Sequence, residues 1–219
     1  MSFQALEPLT MTAIPASHAI TTVDALEALF GSVGEASIRK EIGYVHPHYR
    51  AVIEASPFAV LGTVGPGGLD VSPRGDPAGF VHVQDEHTLL LPERRGNNRI
   101  DSLRNIVADP RVALLFLVPG IGETLRVNGR AAISVKPALL ARFAMNGQLP
   151  KCVLVIGVET VLFQCARAIA RSKLWAPVDP SAPRAVPTPG QMLEALTQAG
   201  IDGAAYDDGL AERQRGTLY

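Results

Sequence analysis

The stretch Arg94-Arg95-Gly96-Asn97-Asn98-Arg99-Ile100-Asp101-Ser102 gathers residue types that hold anions. Just downstream, Ile100, Leu103, Ile106 and Val107 fall on one helical face, and Asp109-Pro110 ends the pattern. A helix is therefore predicted to start here, with Asn97 or Asn98 as its N-cap and Asn98 with Asp101 as a capping pair. A helix start offers unbonded N–H groups and a partial positive charge, and with Arg94, Arg95 and Arg99 around it the segment suits a phosphate. It reads equally as a well-capped surface helix with solvated arginines. A second cluster, Ser72-Pro73-Arg74-Gly75-Asp76-Pro77, stands at a strand end. Arg74 lies there between proline and glycine, in backbone not expected to continue a regular ladder. Either a ligand-binding arginine or a simple Arg74–Asp76 turn ion pair fits.

Other chemistries find less material. His46-Pro47-His48 invites a metal, but no acidic or Cys ligand lies close in sequence. No metal site is expected. His18, His82 and His87 are isolated and read as surface or turn residues. No serine sits in a Gly-x-Ser-x-Gly elbow, and Gly65-Pro66-Gly67-Gly68 lacks the Lys-Ser/Thr of a phosphate loop. Cys152 and Cys165 flank an apolar segment that reads as one strand. At ~3.3 Å per residue they stand roughly 40 Å apart, too far to bridge, as expected of reduced thiols in a cytoplasmic protein.

Around these clusters the chain reads as strands with helices at the ends. Asp24–Phe30 is a predicted helix, with Asp24 near its cap and Gly31 at its end, and Tyr49–Ala55 is a second. Phe58–Val64 and Leu69–Ser72 form a hairpin about Gly65–Gly68; strands follow at Phe80–Val83 and Thr88–Leu91. Val112–Val118 is a continuous apolar run, as for a strand buried on both faces. In 125–133, Leu125, Val127, Gly129, Ala131 and Ile133 face one way, and Arg126, Asn128 and Arg130 the other. A helix over 136–146, a last long strand over 152–163, a proline-stiffened linker over 177–189 and helices over 191–199 and 207–214 complete the reading. The fold class is mainly β (α+β): a six-stranded antiparallel barrel with flanking helices.

Composition sets outer limits. The 219 residues carry 20 Lys+Arg against 21 Asp+Glu, and the net charge of −1 argues against broad nucleic-acid or anionic-membrane binding. With 47% hydrophobic and 19% charged residues there is ample material for a core, which excludes wholesale disorder. No apolar run approaches the ~20 residues of a membrane span. The first residues, Met1 to Glu7, lack the basic and apolar regions of a secretory leader, and residues 1–23 are expected to wrap the surface.

In order and spacing, six segments resemble the pyridoxamine 5′-phosphate oxidase-like flavoproteins, which share an FMN-binding split β-barrel. They are Ser56-Pro57-Phe58, Asp70–Asp76, Arg94–Arg99, Asp109-Pro110-Arg111-Val112, Leu125–Ala131 and Arg171-Ser172-Lys173-Leu174-Trp175. The resemblance implies an N-terminal arm with helices over 1–55, an FMN-binding split barrel over 56–175 and a Pro-rich linker with short helices over 176–219. It implies FMN as cofactor, and Ser72, Arg74, Arg94, Asn97, Asn98, Arg99, Ser102 and Trp175 as cofactor-binding residues. A homodimer acting on a small-molecule substrate or electron donor is also implied. The sequence departs from the true oxidases at three places. Gly79 stands near their substrate-phosphate lysine, Arg142 or Phe143 near their tyrosine, and their C-terminal Arg-x-His is absent. An FMN-dependent oxidoreductase that does not oxidise vitamin B6 phosphates is the leading expectation. A non-catalytic FMN carrier or sensor, or a barrel binding haem or a deazaflavin, is the alternative. No catalytic side chain is nominated.

Overall fold

The computed structural model describes residue 15 and residues 18–179 and 181–218. The leader reading of the first residues lies outside them, as does most of the surface wrap expected of 1–23. Residues 1–39 and 40–219 form separate compact units. In the first, α1 (Val23–Phe30) begins at Thr22, whose side chain accepts from Ala25 N at 3.2 Å, and ends at Gly31 with φ +76°. Thr22 is thus the cap, and Asp24 sits near it, inside the first turn. A short α2 (Glu35–Arg39) follows.

The second unit opens with α3 (Pro47–Ala55), which starts earlier than the apolar pattern suggests. His46 is its N-cap, accepting from His48 N at 3.2 Å, and Pro47 fits the first turn. The His-Pro-His sequence is therefore a helix start and not a strand. Seven strands follow: β1 (Phe58–Gly65), β2 (Gly68–Gly75), β3 (His82–Asp85), β4 (Thr88–Glu93), β5 (Arg111–Leu117), β6 (Thr124–Ser134) and β7 (Cys152–Gln164). Between them lie α4 (Asp101–Ala108) and α5 (Pro137–Arg142). After β7 come α6 (Arg167–Ser172), α7 (Pro189–Leu196), α8 (Gly203–Asp208) and α9 (Leu210–Thr217). The strands make one antiparallel sheet in the order β2-β1-β5-β6-β7-β4-β3, one strand more than the six expected.

Inward residues of this sheet meet in one core. It joins Ala59 and Leu61 of β1, Val112, Leu114 and Phe116 of β5, Leu125 and Val127 of β6, Ile156 of β7, Leu89 and Leu91 of β4 and Val83 of β3. The cluster draws on β1 near one end of the sheet and on β4 and β3 at the other, so the sheet curls into a mainly β barrel with no ladder between β2 and β4. Ser56, fully buried, ties the α3–β1 corner to β5: its hydroxyl lies 2.6 Å from Phe58 O and 2.7 Å from Leu117 O. A bulge in the β6–β7 ladder falls at Asn128/Gly129, and a Cβ on Gly129 would lie 2.1 Å from Gly157 O, so no side chain fits there.

Two strand readings and one helix reading need correction. β2 does not stop at Ser72: it pairs with β1 in unbroken register through Gly75↔Phe58. Proline is tolerated because β2 is the edge, where the nitrogen of Pro73 can point away from β1. β5 alternates instead of being buried on both faces, with Val112, Leu114 and Phe116 inward and Arg111 and Ala113 exposed. Segments buried on consecutive residues lie instead in β4 (Leu89–Pro92) and at the start of β7 (Cys152–Leu154). The helix expected over 136–146 also ends at Arg142, followed by a turn in which Met145 and Gln148 exchange two backbone hydrogen bonds.

Candidate functional site

At the open side of the barrel, the ends of β2 and β4 and the start of α4 enclose a cavity of about 640 Å³. That is within the roughly 300–1,000 Å³ usual for small-molecule sites. Period-2 spacing on β2 puts Asp70, Ser72 and Arg74 on one face, and all three line it. Arg94, Asn97, Asn98, Arg99 and Ser102 line it too, so seven of the eight nominated residues share one space. Trp175 does not line it; its indole donates to Ile121 O at 2.7 Å.

The arginines are held in place by carboxylates. Arg74 donates through Nε to Glu93 at 2.8 Å, and through Nη1 to Ser72 Oγ at 2.7 Å and Pro73 O at 2.9 Å. Arg94 donates through Nε to Asp76 at 2.7 Å, through Nη1 to Phe143 O at 2.6 Å and through Nη2 to Met145 Sδ at 3.9 Å. The turn pair expected between Arg74 and Asp76 is thus replaced by two crossed pairs, Arg74–Glu93 and Asp76–Arg94, which lace β2 to β4. All four side chains are at most 17% exposed.

The start of α4 differs from expectation. Its N-cap is Ile100, in the left-handed region at φ +53°, with no side-chain capping bond. Asn97 instead accepts from Arg99 N at 3.1 Å, and Asn98 also has positive φ. Neither asparagine caps the helix, because these tight turns come before it; the first-turn N–H groups are left without a side-chain acceptor. Within the first turn, Asp101 takes Arg99 at 2.7 Å, a pairing that raises the Arg99 pKa. The Ser102 hydroxyl, buried, donates to Asp70 at 2.8 Å. Of the expected apolar face, Ile106 is buried and Leu103 packs on the core, whereas Ile100 and Val107 point outward.

Sequence reading missed Glu93, Asp70, Asp101 and Lys151. Asp70 could have been found from its i, i+2, i+4 spacing with Ser72 and Arg74. Glu93 ends a strand of apolar residues immediately before two arginines, which was a signal for a buried pair. Cys152 lies opposite Glu93 in the β4–β7 ladder. Burial first, then the Glu93 charge, pushes its thiol up to about 11, so no thiolate is available there. Elsewhere, His82 has its pKa lowered by burial and by Arg142, with which it is in contact. Among the described residues no group of three or more His, Cys, Asp or Glu could hold a metal ion, and no helix is long and apolar enough to cross a membrane.

This barrel, with its polar cavity at the open seam, has the architecture expected of a split-barrel binding protein. The sequence model described as Pyridoxamine 5′-phosphate oxidase matches residues 45–165, more than half of the chain, and the chain belongs to that family. No curated protein matches it. Among solved structures it is similar to HupZ of Group A Streptococcus, with 18% identity over 55% of this chain and 94% of that one and a TM-score of 0.46. It is also similar to general stress protein 26 of Bacillus anthracis, with 19% identity over 52% and 88% and a TM-score of 0.39.

Proposed function

We propose that the chain binds FMN in the seam cavity and acts as an FMN-dependent oxidoreductase. The observation that carries this reading is the lining: Arg74, Arg94, Arg95, Arg99 and Lys151 outnumber the carboxylates Asp70, Glu93 and Asp101 around an uncapped helix start. That donor set fits a phosphorylated ligand. Ser72, Arg74, Asn97, Asn98, Arg99 and Ser102 would hold it, while Arg94, whose three guanidinium nitrogens are engaged, would keep the wall in place. FMN, when bound, supplies hydride or electron transfer. The chain's own residues bind and orient, and none is assigned as acid or base.

A substrate other than a B6 phosphate is favoured by what stands at the oxidases' substrate positions. Gly79 has no side chain, and Arg142 is directed to His82 and Gln84. In this reading the protein is a cytoplasmic homodimer. Trp175, outside the cavity, would reach the cofactor only from a second copy.

Titrating the purified chain with FMN and riboflavin tests the reading. FMN should bind more tightly, and Arg74→Ala should weaken it roughly 10- to 100-fold, the worth of about 1.5–3 kcal/mol for a hydrogen bond to a charged group, with riboflavin little changed. Equal loss for both would remove Arg74 from the phosphate. Rapid reduction of bound flavin by NAD(P)H would separate an enzyme from a carrier, and a haem spectrum in the purified protein would replace FMN altogether.

A further inference from the structure

Sharing Arg94, Arg95 and Lys151 with the seam cavity is a smaller recess of about 130 Å³, completed by Gln148 and Leu149. Its chemistry differs from that of its neighbour. No carboxylate lines it, and Arg95 and Lys151 form no ion pair among the described residues, whereas Arg74, Arg94 and Arg99 are each paired. The walls are fixed from behind. Arg94 reaches Phe143 O and Met145 Sδ, Lys151 N donates to Glu93 O at 3.1 Å, and Met145 and Gln148 close their turn with bonds of 2.9 and 2.8 Å. The 143–151 segment is thereby pinned to the end of β4, which brings Lys151 and Gln148 to the same recess as Arg95.

We propose that this recess is a second oxyanion subsite, for the carboxylate or phosphate of the molecule on which the flavin site acts. The substrate class rests on the FMN reading above, but the subsite itself does not. Two cations in one recess repel each other, and an anion between them relieves that repulsion. The volume is room for roughly four water molecules, which suits one carboxylate or phosphate group. Arginine and lysine from two different segments, beside a neutral amide donor, make a set of donors with no competing acceptor charge.

The experiment is calorimetric titration of the full chain, saturated with FMN, with inorganic phosphate and separately with acetate. Arg95→Gln/Lys151→Gln is compared with wild type; both side chains are exposed, so the fold is retained, as far-UV circular dichroism will show. The expected result is anion binding to the FMN-loaded wild type that weakens at least tenfold in the double variant, with a smaller loss of FMN affinity, because Arg74, Arg99 and the start of α4 remain in the seam cavity. Tighter binding of phosphate assigns a phosphate-bearing ligand, and tighter binding of acetate a carboxylate-bearing one. No anion binding to the loaded wild type, or a matching loss of FMN affinity in the double variant, overturns the subsite. Should the chain take up no FMN, the functional reading fails by itself and the same titration on the unloaded chain still decides the subsite. Phosphate binding that survives Arg74→Ala but not Arg95→Gln/Lys151→Gln supports it, and the reverse dependence overturns it.

Discussion

From β2 through β1, β5, β6 and β7 to β4, every strand is joined to the next by a backbone ladder, over side chains such as Leu61, Leu114, Phe116, Leu125 and Ile156 that are almost wholly excluded from water. Between β2 and β4 no ladder is formed, and Arg74–Glu93 and Asp76–Arg94 span the gap instead. The first region is held by burial, which is non-directional and grows with area. The second is held by charge-assisted bonds, which fix distances but leave polar groups facing a cavity. A barrel closed by apolar contact all round would have no room for an anionic ligand. The paired carboxylates keep the cations oriented where a phosphate would meet them.

The largest effect is expected on the continuous side. Phe116→Ala should lower unfolding free energy in urea by about 3–5 kcal/mol, since its ring is fully buried and its neighbours cannot collapse into the space. At the seam, Asp76→Ala leaves Arg94 without its Nε partner and should cost about 3 kcal/mol, the lower end for breaking a buried pair. The exposed Arg50–Glu54 pair is the control, because Glu54→Ala should change stability by no more than about 0.5 kcal/mol. A comparable loss in both would mean that the seam pairs are ordinary surface pairs.

A sharper division comes from removing charge without removing bulk. Arg74→Met/Glu93→Leu replaces a part-buried pair with apolar side chains and should leave the urea midpoint within about 1 kcal/mol of wild type. FMN binding should nevertheless weaken roughly 10- to 100-fold, as for Arg74→Ala, showing that the pair serves the ligand more than the fold. Unchanged FMN binding would count against a phosphate at Arg74.

The smallest expected effect concerns the two thiols. Cys165 is exposed, and its pKa is lowered by a backbone hydrogen bond from Arg167 and by the charges of Arg167 and Lys40. It should react with a thiol reagent near pH 8, while Cys152 should remain unmodified until the protein unfolds. Since the folded pKa of Cys152 is raised from 9.0 to about 11, its contribution to stability is complete below pH 9 and is lost as pH rises toward 11. Equal labelling of both cysteines would place Cys152 at an open seam.

Local periodicity carried the continuous side into view. The alternation of 125–133 shows directly which residues of β6 face inward, and the two-residue turn between Gly65 and Gly68 sets the β1–β2 register. The seam could not be read this way, because Arg74 and Glu93 are nineteen residues apart and Arg94 and Phe143 forty-nine. Which carboxylate meets which arginine depends on how the sheet curls, and no window of sequence reports that. The start of α4 misled for another reason. Asparagine is favoured both as an N-cap and in left-handed turns, and here Asn97 and Asn98 shape the turn while Ile100 occupies the cap position.

Each strand beside the gap carries a proline, Pro73 in β2 and Pro92 in β4. Pro73 lies within the ladder to β1, and Pro92 within the ladder to β7 at a point where β3 no longer pairs with β4. In both, the missing N–H is the one that would have pointed across the gap. Any ladder across this stretch of the gap would therefore lack one donor on each side. The opening is built into the covalent chemistry of the chain, so an apo protein should keep its entrance without needing a ligand to prop it apart, and should resist edge-to-edge aggregation for the same reason.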